Sequence, residues 1–270
     1  MALSGPLSAR AGYKVELDAP TQSTTGQSTL ILNQGYAALN LKGATVLAGQ
    51  FYMPYGWELF TASRDLEAPE ESLGVRRLFA DQKYDRGVRV QGELGRKWQA
   101  WIALVNGTGY KRGDTNDRKD VALRLAHVGA SAEYGLSAYW GKDTDSATGA
   151  GANRNLVGAH VSAAHRSAQF KGEVIVGKAA APGAVAAGAK DVLSWTALGA
   201  YSWRPDDRLA VRFHRFDPDR DAANNATDVT SLMWLHQLDD AVRLRIAEEF
   251  VRPDAGDDYE IFTSELQVTF

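Results

Sequence analysis

Cysteine is absent from the 270 residues, which excludes disulfides, thiol catalysis and any metal or iron–sulfur site built on thiolates. Long apolar runs are missing too: nowhere do about eighteen consecutive apolar residues occur, so no transmembrane helix is encoded. The opening Met1-Ala2-Leu3-Ser4-Gly5-Pro6 lacks the basic head and apolar stretch of a secretory signal. Excess charge of one sign is scarce, with Lys+Arg 30 against Asp+Glu 33 and a net charge of -3, so no nucleic-acid partner is expected. No Gly-x-Ser-x-Gly elbow and no helical His-x-x-x-His pair accompany the five histidines. Neither a catalytic residue nor a metal site is indicated, and no cofactor is implied. Asp114, Asn116, Asp117 and Asp120 offer closely spaced oxygens, but the glycine and glutamate that a calcium loop requires are missing, which leaves a turn held by Asx hydrogen bonds.

What is present is alternation. Phe262, Ser264, Leu266, Val268 and Phe270 fall on one parity, Thr263, Glu265, Gln267 and Thr269 on the other, which is a strand of period two. Val88, Val90, Gly92 and Leu94 alternate with Arg89, Gln91 and Glu93; Leu209, Val211 and Phe213 with Ala210, Arg212 and His214; Val242, Leu244 and Ile246 with Arg243, Arg245 and Ala247. One face is apolar and the other mostly polar. This pattern predicts about fourteen strands, at 9–19, 28–41, 44–53, 86–94, 97–105, 118–128, 131–140, 155–165, 168–178, 191–203, 207–216, 228–238, 240–250 and 259–270.

The connections alternate as well. They are long at 20–27, 54–85, 106–117, 141–154, 179–190, 217–227 and 251–258, and short at Lys42-Gly43, Gly95-Arg96, Gly129-Ala130, Arg166-Ser167, Pro205-Asp206 and Asp239. Long loops on one rim and tight turns on the other are the rhythm of an outer-membrane barrel with an even strand count. Strands of about ten residues suit a tilted bilayer crossing, whereas globular strands average about five or six. Trp98 and Trp203 stand beside short turns, and Trp57, Tyr110 and Trp140 beside long ones, where interfacial girdles sit. The expectation is a single all-β domain over 1–270, a closed antiparallel up-and-down transmembrane β-barrel in outer-membrane lipid, with both termini at the short-turn rim. A soluble β-sandwich alternates too and is the competing fold.

Gly49-Gln50-Phe51-Tyr52-Met53-Pro54-Tyr55-Gly56, then Ser63-Arg64-Asp65-Leu66, then Asp85-Arg86-Gly87-Val88-Arg89-Val90-Gln91-Gly92 resemble the family of phosphate-selective porins O and P. Asn106-Gly107-Thr108-Gly109 and Asp114–Asp120 extend the resemblance, which covers about 45–125. It implies a bacterial outer-membrane porin, a homo-trimer of sixteen-stranded barrels, and a loop after the Gly49–Gly56 segment that folds inward to narrow the pore. A further N-terminal hairpin would raise fourteen strands to sixteen. Tyr52 stands where the family often carries a lysine, so its phosphate preference is not carried over.

A pore keeps polar groups inside an apolar wall, because an ion meets a large solvation cost without them. Parity assigns Arg89, Glu93, Arg124, Glu133, Lys171, Glu173, Arg212, His214, Arg243, Arg245 and Glu249 to the lumen, with His160 beside them. They either set a field that selects ions or stiffen the wall through cross-strand ion pairs. Arg64, Arg76, Arg77 and Lys83, with Asp65, Glu67, Glu70, Glu71 and Asp81, would form the constriction. Six lumenal cations against four carboxylates predict a modest anion preference, with Arg243 and Arg245 prominent in it. Leu244→Arg should harm insertion while Arg245→Leu should be tolerated. The expected activity is passive diffusion of small hydrophilic solutes or ions. Two alternatives stand: a porin-like sheath around a partner polypeptide, and a soluble sugar-binding β-protein.

Overall fold

The computed structural model describes residues 2–18, 30–111, 113, 114, 117–144, 148, 150–180 and 185–268. Fifteen strands form one sheet: β1 (Ala2–Pro6), β2 (Ala11–Asp18), β3 (Ile31–Leu41), β4 (Ala44–Tyr52), β5 (Tyr84–Gly95), β6 (Trp98–Val105), β7 (Asp120–Val128), β8 (Ala132–Thr144), β9 (Gly151–His165), β10 (Ala168–Ala179), β11 (Lys190–Ser202), β12 (Asp207–Asp217), β13 (Thr227–Gln237), β14 (Val242–Pro253) and β15 (Tyr259–Val268). Each pairs antiparallel with the next, in chain order from β1 to β15. All fourteen expected strands are present, in order. Among the described residues no ladder joins β1 to β15.

Two expectations are corrected. Among the described residues the count is fifteen, where about fourteen were expected, because β1 pairs with β2 from Ala2↔Glu16 to Pro6↔Gly12. Ala2-Leu3-Ser4-Gly5-Pro6 carries no alternation, and its proline is tolerated because an edge strand leaves one row of N–H groups unpaired. An odd count puts the start of β1 at the long-loop rim, not the short-turn rim. The second correction concerns 141–154, expected as a loop: β8 and β9 continue through Gly141↔Arg154 and Lys142↔Asn153 to Thr144↔Gly151. A hairpin that rises past the apolar band loses the lipid-facing half of the alternation, so parity does not reveal it.

The short turns follow local backbone chemistry. Arg96 and Lys97 both have positive φ, 49° and 68°, as a two-residue turn twisted to match its strands requires. Asn116, Phe270 and the side chain of Asp81 lie outside the described part of the chain.

The two faces of the sheet differ sharply. Outward-pointing Val90, Ile102, Leu136, Val157, Phe170, Val211, Phe213, Leu232 and Leu266 are exposed, a band that favours lipid contact at about 25 cal/mol per Å² of apolar surface removed from water. Inward-pointing Arg124, Lys171, Glu173, Arg212, His214, Arg245 and Glu249 are buried. Val211 stands at mid-strand, opposite Leu232. Val211→Arg is therefore expected to cost about 2–4 kcal/mol of folding into lipid, and Val211→Leu almost nothing, as read from urea titrations of vesicle-folded protein. Equal stability of the two variants would reverse the facing.

What buries the inner face is the connection between β4 and β5. It holds a helix, α1 (Leu73–Phe79), flanked by short 3-10 turns. Met53, Tyr55, Leu59, Val75, Leu78 and Phe79 pack in one core with Ala103, Ala122, Tyr139, Leu156, Ile175, Val192 and Phe216 from seven strands. Trp57, expected in an interfacial girdle, lies 7% exposed inside this segment; a tryptophan next to a strand end gives no parity by which to tell rim from interior.

Candidate functional site

The inner segment enters through Gly56, whose φ of +61° is left-handed and whose Cβ, if it had one, would collide with the Glu173 carboxylate. Only glycine meets both conditions. Its N–H donates to Ser137 Oγ at 2.9 Å and its carbonyl accepts from Arg124 Nε at 2.8 Å. The next two N–H groups, of Trp57 and Glu58, donate to Glu173 Oε2 at 3.3 and 3.1 Å. Strands β7, β8 and β10 thus grip one turn of main chain.

Arginine dominates the remaining anchors. Arg212 Nη1 donates to Glu58 Oε1 at 3.1 Å and to the Glu70 carbonyl at 2.9 Å, while its Nη2 reaches Glu249 at 2.8 Å. Arg245 Nη1 donates to the carbonyls of Ser63, Leu66 and Ala68 at 3.0, 3.0 and 3.2 Å, and its Nη2 forks onto Glu265. Arg243 donates to the Arg64 carbonyl, and Arg154 Nη1 to the Leu78 carbonyl at 2.9 Å. Five arginines, with Arg124, therefore hold main-chain oxygens of one segment, a task suited to a rigid planar fork of donors. Lys171 Nζ lies 2.9 Å from both oxygens of Glu67 and 4.9 Å above the Trp57 ring. His214 Nδ1 accepts the Leu73 N–H at 3.1 Å, so that nitrogen carries a lone pair and no proton.

Two carboxyls of the segment are shifted. Burial pushes Glu58 up, with Arg212 and Ser72 opposing. Burial would raise Glu71 also, but the ammonium of Lys83 beside it outweighs that and holds it below the usual carboxylate range.

The parity assignments map onto this arrangement as follows. Arg124 is further paired with Glu133 and lies 3.2 Å from His160 Nε2. Arg89 donates to the Tyr52 carbonyl at 2.8 Å and stacks over Phe51. Glu93 has inner parity but is exposed near the short-turn rim. In the inner segment, Arg76 pairs with Glu70 and Lys83 with Glu71. Arg64 and Arg77 are exposed; Arg64 lies 3.9 Å from Asp65, and Arg77 makes no salt bridge with a described residue. Among the described residues no group of His, Asp and Glu is placed to hold a metal ion.

Sequence reasoning missed Arg154, Arg208 and Asp85. Arg154 has inner parity on β9 but fell in a segment taken as loop. Arg208, 3.2 Å from Glu67, belongs to β12 and was findable by extending parity with Arg212. Asp85 accepts the N–H groups of Gly107 and Gly109 at 2.9 and 3.2 Å, and nothing in a linear pattern marks such a cap.

The sequence matches the family of phosphate-selective porins O and P over residues 1–190. It has no match among the curated proteins. Its fold is similar to that of an anion-selective porin from Comamonas acidovorans, with a TM-score of 0.70, 12% identity, and 98% of this chain and 85% of that chain covered. OmpF of Salmonella typhi, solved with daunomycin, gives 0.72 at 9% identity, covering 95% and 83%. OmpT of Vibrio cholerae in its trimer form gives 0.61 at 9% identity, covering 97% and 86%. A single antiparallel sheet with an apolar outer band and a buried, charged inner face that carries one long connection accords with that match: the chain belongs to the phosphate-selective porin O and P family and is a porin of the bacterial outer membrane.

Proposed function

We propose that the sheet closes into a barrel, embedded in outer-membrane lipid and assembled as a homotrimer, which passes small hydrophilic solutes and ions by passive diffusion with a modest anion preference. The observation that carries this reading is the inner segment 53–83, bound to β7, β8, β9, β10, β12 and β14 at once. A sheet can touch one short segment from so many strands only by curling around it. The segment then acts as a fixed constriction, because each inward-facing cation that binds it also neutralises a carboxylate or satisfies a carbonyl. No catalytic role is assigned. A partner polypeptide threaded through the barrel would compete with the chain's own segment for the same space, which favours the open pore over the sheath.

Selectivity then rests with charges that are not spent on anchoring. Arg243 and Arg245 turn their guanidiniums into the segment's carbonyls, whereas Arg64 and Arg77 lie exposed on it. The anion-selective character printed for the Comamonas acidovorans porin is in line with a basic constriction. The test is the zero-current potential across a salt gradient. Wild type should favour anions, Arg77→Glu should shift the potential toward cations, and the shift should shrink as salt shortens the Debye length to about 3 Å near 1 M. Arg243→Gln should move it less. A wild-type channel that favours cations would overturn the assignment.

A further inference from the structure

Below the inner segment, toward the short-turn rim, two cavities of about 420 and 340 Å³ adjoin and share Gln99 and Trp101. Their walls are unlike the basic lining that phosphate would need. The two cations present are already committed: Arg124 to the Gly56 carbonyl and Glu133, Lys171 to Glu67. Glu93 and Glu133 add negative charge to the same space. What remains available is amide and aromatic. The side chain of Gln99, which lines both cavities, forms no hydrogen bond with a described residue, and the Oε1 of Gln91 accepts none. Trp57, Phe60 and Trp101 form the apolar part of the wall, with Arg124 centred 4.6 Å from the Trp101 ring and Phe60 meeting that ring edge-on at 5.5 Å.

Side-chain amides donate to and accept from vicinal hydroxyls, carboxylates accept from them, and aromatic rings take the C–H faces of a saturated ring. We infer that this vestibule is a binding subsite for neutral carbohydrate on its way through the pore, with Gln91 and Gln99 hydrogen-bonding hydroxyls and the wall of Trp57, Phe60 and Trp101 packing against the sugar ring. The inference rests on the porin reading for the sugar's route and on the cavity's lining for its identity. An anion finds no uncommitted cation here, and a purely aromatic solute would leave the two glutamines unsatisfied.

The experiment is single-channel recording of the full chain in planar bilayers with maltose, set against inorganic phosphate and a polyethylene glycol of similar size. Maltose is expected to block the ion current saturably. In the double variant Gln91→Ala with Gln99→Ala, the half-blocking concentration, scaled to that variant's own sugar-free current, should rise roughly fivefold or more, the worth of at least one neutral hydrogen bond. Phe170→Leu, on the lipid face, should leave it unchanged. A current that falls linearly with maltose as it does with polyethylene glycol, or that saturates with phosphate but not maltose, overturns the inference and leaves the porin reading standing. Complete absence of ion conductance would instead sink the porin reading. In that event calorimetric titration of maltose into the detergent-solubilised protein decides the subsite alone: saturable heat that the double variant weakens supports it, and no heat overturns it.

Discussion

Replacing Arg212 by leucine is expected to cost about 3–5 kcal/mol of stability, the scale seen when one partner of a buried ion pair is removed. Arg212 is 1% exposed and sits between Glu58 and Glu249, both buried. Without it, Glu58 keeps only the donors of Ser72 and Glu249 that of Ser231, with no cation between them, and the Glu70 carbonyl loses its donor; the two buried carboxylates must then be protonated or strained outward. Glu58 is already pushed up by burial, so protonation there comes easily, and the variant's deficit should narrow at acid pH. The measurement is the urea midpoint of the folded band in lipid at neutral and acid pH. Adding Glu58→Gln and Glu249→Gln to Arg212→Leu should recover part of the loss, because the stranded charges are then gone. A single variant as stable as wild type would show that the cluster is hydrated and that the segment is held elsewhere.

Excising the inner segment gives the second large effect. Tyr52 pairs with Tyr84, so a tight turn can replace residues 54–82 and join β4 to β5 without a change of register. Single-channel conductance should then rise severalfold, because the excised residues fill the space the inner faces of six strands enclose. Stability should fall together with it. Five arginines would lose carbonyl partners, and Lys171 would lose Glu67. Neutralising Lys171, Arg212 and Arg245 in the excised protein should restore part of the stability and leave the conductance high. Unchanged conductance would place the ion path away from this segment. The same logic revises an expectation drawn from facing alone: Arg245→Leu is not expected to be harmless, since Arg245 serves three carbonyls and Glu265.

The strand pattern was legible because lipid imposes a rule on every second residue. Phe213 and Leu266 had to be apolar, and Arg212 and Arg245, by the same parity, had to point inward. Beyond the bilayer that rule lapses, which is why the extended β8–β9 hairpin did not show; β1 did not show because Ala2–Pro6 carries no alternation. The 53–83 segment stands outside it altogether. Its length and the Gly49–Gly56 block marked it for the interior, but no periodicity announced α1 or singled out Glu58 and Glu67 from the exposed Glu70 and Asp65.

Sequence by itself therefore determined the sheet, its facing and the inventory of inward charges, since each depends on near neighbours and on which solvent a side chain meets. Only the tertiary structure decided what those charges do. Arg212 lies 154 positions from Glu58, and Arg245 lies 179 from the Leu66 carbonyl. A guanidinium that faces an open lumen and one that clasps a folded segment have the same parity, and what separates them is whether a distant stretch of chain supplies an oxygen within hydrogen-bonding reach.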